Sequence, residues 1–335
     1  MKRLWIVIAA LTLMVASCAA EEPAATEAPV AVTTAAPTTE TTAAPTTTDP
    51  APTTTAAAVS MDDHFPVTVT SAAGETTIEE RPERIAALSA THVEMLFAVG
   101  AGEQVIAGDL FANYPPEAGG IELLDSFNLN VESLIALDPD LVILSFDPVD
   151  AVAALDAVGI PTLLLGTATS IEEAYTQTLT VGDASGHLSE ARELVLAMQS
   201  DMDAIVDTVG GSAEGLTYYH ETDPFSYYTP NSASFIGQLY NLLGMENIAD
   251  AAPDEFGSGF PQLSPEFIVD ANPDLIVLAA GGDEVSTLAE RPGWDTMTAV
   301  ANDNVAVIDT DVASRWGPRI VELLRAIADA AGAVQ

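Results

Sequence analysis

A chain of 335 residues with 50 aspartates and glutamates against 9 lysines and arginines carries a formal net charge of −41. That balance excludes nucleic acid as a partner, because neutralising phosphates requires the opposite sign. The acids are dispersed along the chain, a pattern that suits solubility in salty surroundings and also leaves room for a cationic partner. Cys18 is the only cysteine, so neither an internal disulfide nor a thiolate metal cluster can form.

At the N-terminus, Lys2-Arg3 precede an apolar run from Leu4 to Val15 that is too short to span a bilayer comfortably. The run closes on Val15-Ala16-Ser17-Cys18, which resembles a bacterial lipobox. That resemblance implies a signal peptide over residues 1–17, diacylglycerol on the Cys18 sulfur, and a mature protein held at the outer face of the cytoplasmic membrane. The competing reading is an inert thiol in an ordinary secretory signal. Residues 18–60 are Thr, Ala, Pro and Glu with hardly a bulky apolar side chain, so they cannot bury enough surface to offset the entropy of folding. They read as a tether of about 40 residues with a root-mean-square reach on the order of 35 Å.

The remainder, about 275 residues, is enough for two α/β lobes. Val67–Thr70 and Glu75–Ile78 alternate around Ala73-Gly74 and predict a hairpin. Buried strands are expected at Arg84–Leu88, Val105–Gly108, Leu141–Phe146 and Thr162–Leu165, with a helix from His92 to Val99 that stops at Gly100. Ser170 followed by Glu173 forms a capping box that opens another helix. Then Leu188, Ala191, Val195, Met198, Met202, Ile205 and Val209 recur at steps of three and four, one apolar stripe on a helix of roughly 33 Å. Beyond Gly210-Gly211, strands are expected at Leu216–His220 and Val305–Ile308, and a last helix at Pro318–Ala331.

The stretch from Asn130 to Leu144 recurs as Ser264 to Leu278, once in each half of the chain. Each copy reads as a short helix with a glutamate near its start, a Pro-Asp turn, and an unbroken apolar run fit for a strand buried on both faces. α/β proteins can repeat such a pattern by chance. The shared register of the glutamate, the Pro-Asp and the strand argues for two similar lobes with a cleft between them. The boundaries expected are a first lobe at 61–181, a bridging helix at 182–211 and a second lobe at 212–335.

The ordered series Arg84–Ser89, Glu94–Gly100, Asn113–Glu117, the two repeat copies, Gly244–Ile248 and Arg315–Ile320 resembles the substrate-binding proteins of ABC importers for ferric siderophores and vitamin B12. The match covers nearly all of Pro66 to Ala331. The resemblance implies the class III periplasmic-binding-protein fold: α/β, two lobes each with a central mainly parallel sheet, bridged by one long rigid helix. It also implies a monomeric receptor, without intrinsic cofactor or enzymatic activity, that holds a metal chelate between the lobes and delivers it to an ABC permease dimer with its ATPase subunits.

By the same resemblance Phe111, Phe127, Tyr228 and Phe260 occupy aromatic ligand-binding positions and Arg315 that of a cleft arginine. Flat aromatic walls suit a large, partly apolar chelate, and a guanidinium fork can hold a carboxylate, hydroxamate or amide oxygen. Each aromatic has a competing place in the core. Where the B12 receptors carry tryptophans this chain has smaller aromatics, and its acidity disfavours anionic chelates. Hydroxamate or mixed siderophores therefore rank first, corrinoids second and haem third. His92 and His220 follow or end strands and can face the cleft, as ligands of a chelated metal or as structural hydrogen-bonding residues. Glu132 and Glu266, one per lobe, occupy the positions that in the family meet permease arginines, and the competing role is helix capping. A secreted hydrolase and a cell-wall adhesion module stand as outside readings. No Gly-x-Ser-x-Gly, His-Glu-x-x-His or phosphate-loop motif supports an enzyme.

Overall fold

The computed structural model describes residues 64–279 and 282–335. The signal sequence, Cys18 and the linker to residue 60 lie outside the described residues. The expected hairpin is present: β1 (Val67–Ser71) pairs antiparallel with β2 (Gly74–Ile78), Val67 opposite Ile78 and Ser71 opposite Gly74. Gly74 has φ of 108° at the turn, a conformation that side chains with a Cβ avoid.

Five strands then form one parallel sheet: β3 (Ile85–Leu88), β4 (Val105–Asp109), β5 (Glu122–Leu124), β6 (Leu141–Leu144) and β7 (Thr162–Leu164). Their spatial order is β5-β4-β3-β6-β7. Central β3 and β6 are buried throughout, and their side chains alternate between two cores. Ile85, Ala87, Leu141 and Ile143 pack with Val93 and Leu96 of α1 (Ala90–Ala98). Ala86, Leu88, Val142 and Leu144 pack with Leu134 of α2 (Val131–Ala136) and Leu155 of α3 (Ala151–Asp156). A strand covered on both faces has no polar side, which is why its sequence is an unbroken apolar run. Strand β5 has no counterpart among the strands expected from the sequence, because this short edge strand is largely exposed and shows no such run.

The second sheet is built alike from β8 (Thr217–Glu221), β9 (Glu246–Asn247), β10 (Leu275–Leu278) and β11 (Val305–Val307), all parallel in the order β11-β10-β8-β9. Tyr218 and Val277 face α6 (Phe235–Leu242) and α10 (Ile320–Gly332). Tyr219, Ile276 and Leu278 face Ile268 of α7 (Pro265–Ala271) and Trp294. Two further short helices, α8 (Thr298–Ala301) and α9 (Thr310–Ser314), flank β11.

The internal repeat is a structural duplication. Asn130 caps α2 by accepting from the Ser133 amide at 3.0 Å, and Ser264 caps α7 by accepting from the Phe267 amide at 3.1 Å. The aspartate of each Pro-Asp reaches back to the neighbouring central strand. The Asp140 carboxylate accepts from the amides of Glu83 and Arg84 at 2.9 and 3.0 Å, and that of Asp274 accepts from the Thr217 amide at 2.9 Å. Each copy thus pins its strand in register, Leu141 opposite Ile85 and Leu275 opposite Tyr218.

The expected strut is α5 (Leu188–Val209), 22 residues and so about 33 Å long. Ala191 packs in the first lobe, whereas Val195, Met198, Met202 and Ile205 pack in the second. Burying each of those four is worth about 1.5–3 kcal/mol. Alongside runs α4 (Ile171–Ser185) in the opposite sense, with Ala174 and Tyr175 in the second lobe's core and Val181 and Ala184 in the first's. Two antiparallel helices therefore cross between the lobes. They touch at Gly182, where an added Cβ would lie 2.3 Å from the Ala191 Cβ. The capping box that opens α4 is offset by one residue: Ser170 accepts from the Glu173 amide at 3.1 Å, while the Glu173 carboxylate accepts from the amide of Thr169 at 2.8 Å.

Candidate functional site between the lobes

Each sheet reverses its strand order beside its central strand, between β3 and β6 in the first lobe and between β8 and β10 in the second. Chain segments diverge there at the carboxyl ends and leave a crevice. The first lobe's crevice is a cavity of about 330 Å³ reached by Ser89 after β3, Phe111 after β4, and Ser145 and Phe146 after β6. The second lobe's is a cavity of about 230 Å³ reached by His220 and Thr222 of the β8 end and Ala279 after β10. Thr167 lines both, and Ser314 of one adjoins Arg315 of the other, so the two cavities meet where the chain passes between lobes. Phe260 joins the second cavity to a shallower one of about 200 Å³ that also holds Tyr228 and Phe256. A separate groove of about 380 Å³ between α5 and α10 is lined by Asp201, Thr208, Arg325 and Asp329 and has neither an aromatic nor a strand end in its wall.

The rim is aromatic and exposed. Phe111 and Phe127 face solvent on the first lobe, and the Phe127 ring sits 5.3 Å from that of Phe146 at a tilt of 32°. On the second lobe Tyr228 is partly exposed and Phe256 is 86% exposed, while Phe260 is half buried against the second lobe's core. Exposed large aromatics gathered at a crevice mark a binding surface, because water gains nothing by wetting them. Tyr228 is held by a bridge to Gln262, and the Asp254 carboxylate accepts from the amides of Ser258 and Gly259 at 3.1 and 2.7 Å, ordering the loop that ends in Phe260. These hydrogen bonds, the Gly259 amide above all, hold the Asp254 carboxyl below its usual range. All four aromatics expected from the sequence therefore line cavities here. Phe146 and Phe256 were not anticipated. Phe146 follows directly on the first repeat's strand, at the end where ligands bind in open parallel sheets, and that position was a usable signal.

Arg315 reaches the first cavity with its fork already occupied. Its Nη2 donates to Asp311 Oδ1 at 2.9 Å and to the Phe111 carbonyl at 3.2 Å, and its Nε lies 3.4 Å from Glu94 Oε1. Glu94, buried on α1, also accepts from Arg319 Nε at 2.9 Å and Nη2 at 2.5 Å. The Arg319 guanidinium lies 4.4 Å from the Tyr114 ring centroid, and Asn113 donates to Asp311 at 2.7 Å. Desolvation pulls the Arg319 pKa down, but the hydrogen bonds and charge of Glu94 outweigh it and leave Arg319 more firmly protonated. This network joins α1 of the first lobe to α9 and α10 of the second. Sequence alone assigns no role to Glu94 or Arg319, since an ion pair between residues 225 apart has no local signal.

The two histidines part company. His92 is fully buried and lines neither cavity, so the expectation that it faces the cleft is corrected: Nε2 donates to Gln177 Oε1 at 3.3 Å, and the ring meets Trp316 edge-on at 6.1 Å. Gln177 Oε1 accepts from Trp316 Nε1 as well, at 2.9 Å. His220 is equally buried yet forms part of the second cavity's wall, with Nδ1 2.8 Å from the Tyr240 hydroxyl. Burial lowers both imidazoles to a pKa of about 4, that of His92 against a raising contribution from Gln177.

Glu132 and Glu266 are exposed in the first turns of α2 and α7. Among the described residues neither carboxylate makes a hydrogen bond, and the caps are made by Asn130 and Ser264. No cluster of three metal-ligating side chains occurs among the described residues, nor any helix long and apolar enough to cross a membrane.

Residues 85–312 match the family model for periplasmic binding proteins. The chain is 30% identical over 289 residues to the uncharacterised ABC transporter substrate-binding lipoprotein YvrC of Bacillus subtilis, covering 84% of this chain and 90% of that one. It is 31% identical over 278 residues to a cobalamin-binding protein of Halobacterium salinarum, covering 79% and 74%. Among solved structures, one of an ABC-type Fe3+-hydroxamate transport system from Saccharomonospora viridis superposes with a TM-score of 0.64 at 27% identity, covering 81% of this chain and 100% of the other.

Proposed function

The chain belongs to the periplasmic binding protein family, and from that premise we propose that it is the extracytoplasmic solute receptor of an ABC importer, capturing a metal chelate between its lobes. The observation that carries this reading is the ring of exposed aromatics at the carboxyl ends of both sheets, around adjoining cavities. Stacking against Phe111, Phe127, Phe146, Tyr228, Phe256 and Phe260 supplies affinity for a flat, partly apolar ligand, and Arg315 borders it. A ferric hydroxamate siderophore fits first, with relatives and neighbours named for Fe3+-hydroxamate transport and for cobalamin. A corrinoid comes second and haem third. The receptor carries no chemistry of its own, works as a monomer, and rides on a lipid at Cys18 through the linker to residue 60. Glu132 and Glu266 dock the two lobes on the two permease subunits.

The test is a titration of intrinsic tryptophan fluorescence with ferrioxamine B, cyanocobalamin and haemin. Trp316 lines the first cavity whereas Trp294 is buried in the second lobe's core, so quenching is expected to fall mainly on Trp316 and to shrink in Trp316→Phe. Saturable binding of none of the three would sink the reading. For the anchor, Cys18→Ala is expected to leave the membrane fraction or remain uncleaved.

A further inference from the structure

The buried imidazole in the wall of the second cavity is built to offer a hydrogen bond. His220 Nδ1 lies 2.8 Å from the Tyr240 hydroxyl, and Nε2 has no partner. Tyr240 is itself fully buried, and its hydroxyl makes no hydrogen bond except to this ring among the described residues. A buried phenol must donate its proton somewhere, and here the acceptor on offer is Nδ1. That puts the imidazole proton on Nε2. The main chain that carries the ring is fixed by the Thr229 hydroxyl, which donates to the His220 backbone carbonyl at 2.7 Å. An N–H without a partner is rare inside a protein, and this one belongs to a side chain that lines a cavity, from which an acceptor can be supplied.

The rest of the wall says which acceptor. Around His220 stand Phe235, Ile236, Phe260, Ala279 and Ala313, with the hydroxyls of Thr167, Thr222, Thr310 and Ser314, and no charged side chain among the described residues. A carboxylate in such a space would lose its hydration without meeting a cation, whereas a neutral carbonyl needs only one or two donors. We propose that His220 is a ligand-binding residue whose Nε2–H donates to the neutral carbonyl oxygen of an amide or hydroxamate arm that the bound chelate extends into the second lobe's cavity. This deepens the receptor reading and rests on it for the identity of the chelate. It also assigns His220 a role other than metal ligation, since a nitrogen that carries its proton has no lone pair for iron or cobalt.

The full-length protein, labelled with nitrogen-15 in histidine, tests the tautomer and the site together. His220 Nε2 is expected to resonate as a protonated, pyrrole-type nitrogen. Dimethylacetamide is expected to shift its N–H saturably, and acetate at equal concentration is not. An unprotonated Nε2, no response to the amide, or an equal response to acetate would each overturn the proposal, whatever the physiological ligand. The second arm uses His220→Phe/Tyr240→Phe, which removes both polar groups and so leaves neither stranded. With its melting temperature near the parent's, it is expected to bind ferrioxamine B or cyanocobalamin at least tenfold more weakly. Affinity equal to the parent's, or a nitrogen-to-metal absorption band in the parent that the variant lacks, overturns it. A parent that binds neither chelate removes the receptor reading for these ligands, and the amide titration then decides the site alone.

Discussion

Replacing Glu94 by glutamine keeps the shape of the side chain and deletes its charge, leaving Arg319 and Arg315 of the second lobe without the carboxylate that the first lobe presents to them. Glu94 is 3% exposed and Arg319 8%, and the Arg315 side chain 11%, so solvent screens these charges only weakly. Glu94 receives both nitrogens of the Arg319 fork and lies 3.4 Å from Arg315 Nε. Breaking a buried pair by removing one partner costs about 3–5 kcal/mol, because the remaining charge is left uncompensated. At about 2–4 °C per kcal/mol for a domain of roughly this size, Glu94→Gln is expected to lower the melting temperature by about 6–20 °C. Calorimetry on the parent, Glu94→Gln, and Glu94→Leu/Arg315→Leu/Arg319→Met separates the contributions. The triple variant leaves no stranded charge in the buried triad, while the partly exposed Asp311 carboxylate keeps water and Asn113, and it is expected to recover most of the loss, since apolar replacement of a buried triad is often neutral or better. A Glu94→Gln shift under about 2 °C would refute the reasoning and show that water reaches the network.

Phe146→Ala removes a half-exposed ring that leans on Phe127, so chelate affinity is expected to fall about tenfold with melting temperature nearly unchanged, and an unchanged dissociation constant would remove Phe146 from the site. Glu132→Ala/Glu266→Ala is expected to leave ligand affinity and stability as they are while lowering permease-dependent uptake and ATPase stimulation; uptake equal to the parent's would return both glutamates to the helix ends. His92 and His220 ionise near pH 4 when folded against about 6.5 when unfolded, so the unfolded chain binds the extra protons first as pH falls. Stability is therefore full above pH 6.5 and declines toward pH 4, by on the order of 3 kcal/mol for each ring, and His220→Phe/Tyr240→Phe should lose one ring's share of that decline in urea titrations at pH 7 and 4.5.

What the amino-acid sequence determines alone is whatever is carried by neighbours along the chain. The apolar runs at Leu141–Leu144 and Leu275–Leu278 announce doubly covered strands, the three-four stripe from Leu188 announces α5, and the shared register of glutamate, Pro-Asp turn and strand in the two copies announces a duplicated unit. Each of these is a local pattern of burial or hydrogen bonding with a short period, readable without knowing the partner. The edge strand β5 lacked such a pattern and went unseen. The tertiary structure alone decided which side chains meet. His92 and His220 look alike in sequence, yet one is sealed against Gln177 and Trp316 and the other stands in a cavity wall. Arg315 reads as a free cleft arginine until folding brings Glu94 and Asp311 within reach of its fork. A residue's partners across the lobes, and therefore its charge state and spare hydrogen-bonding capacity, depend on distances that no local period encodes.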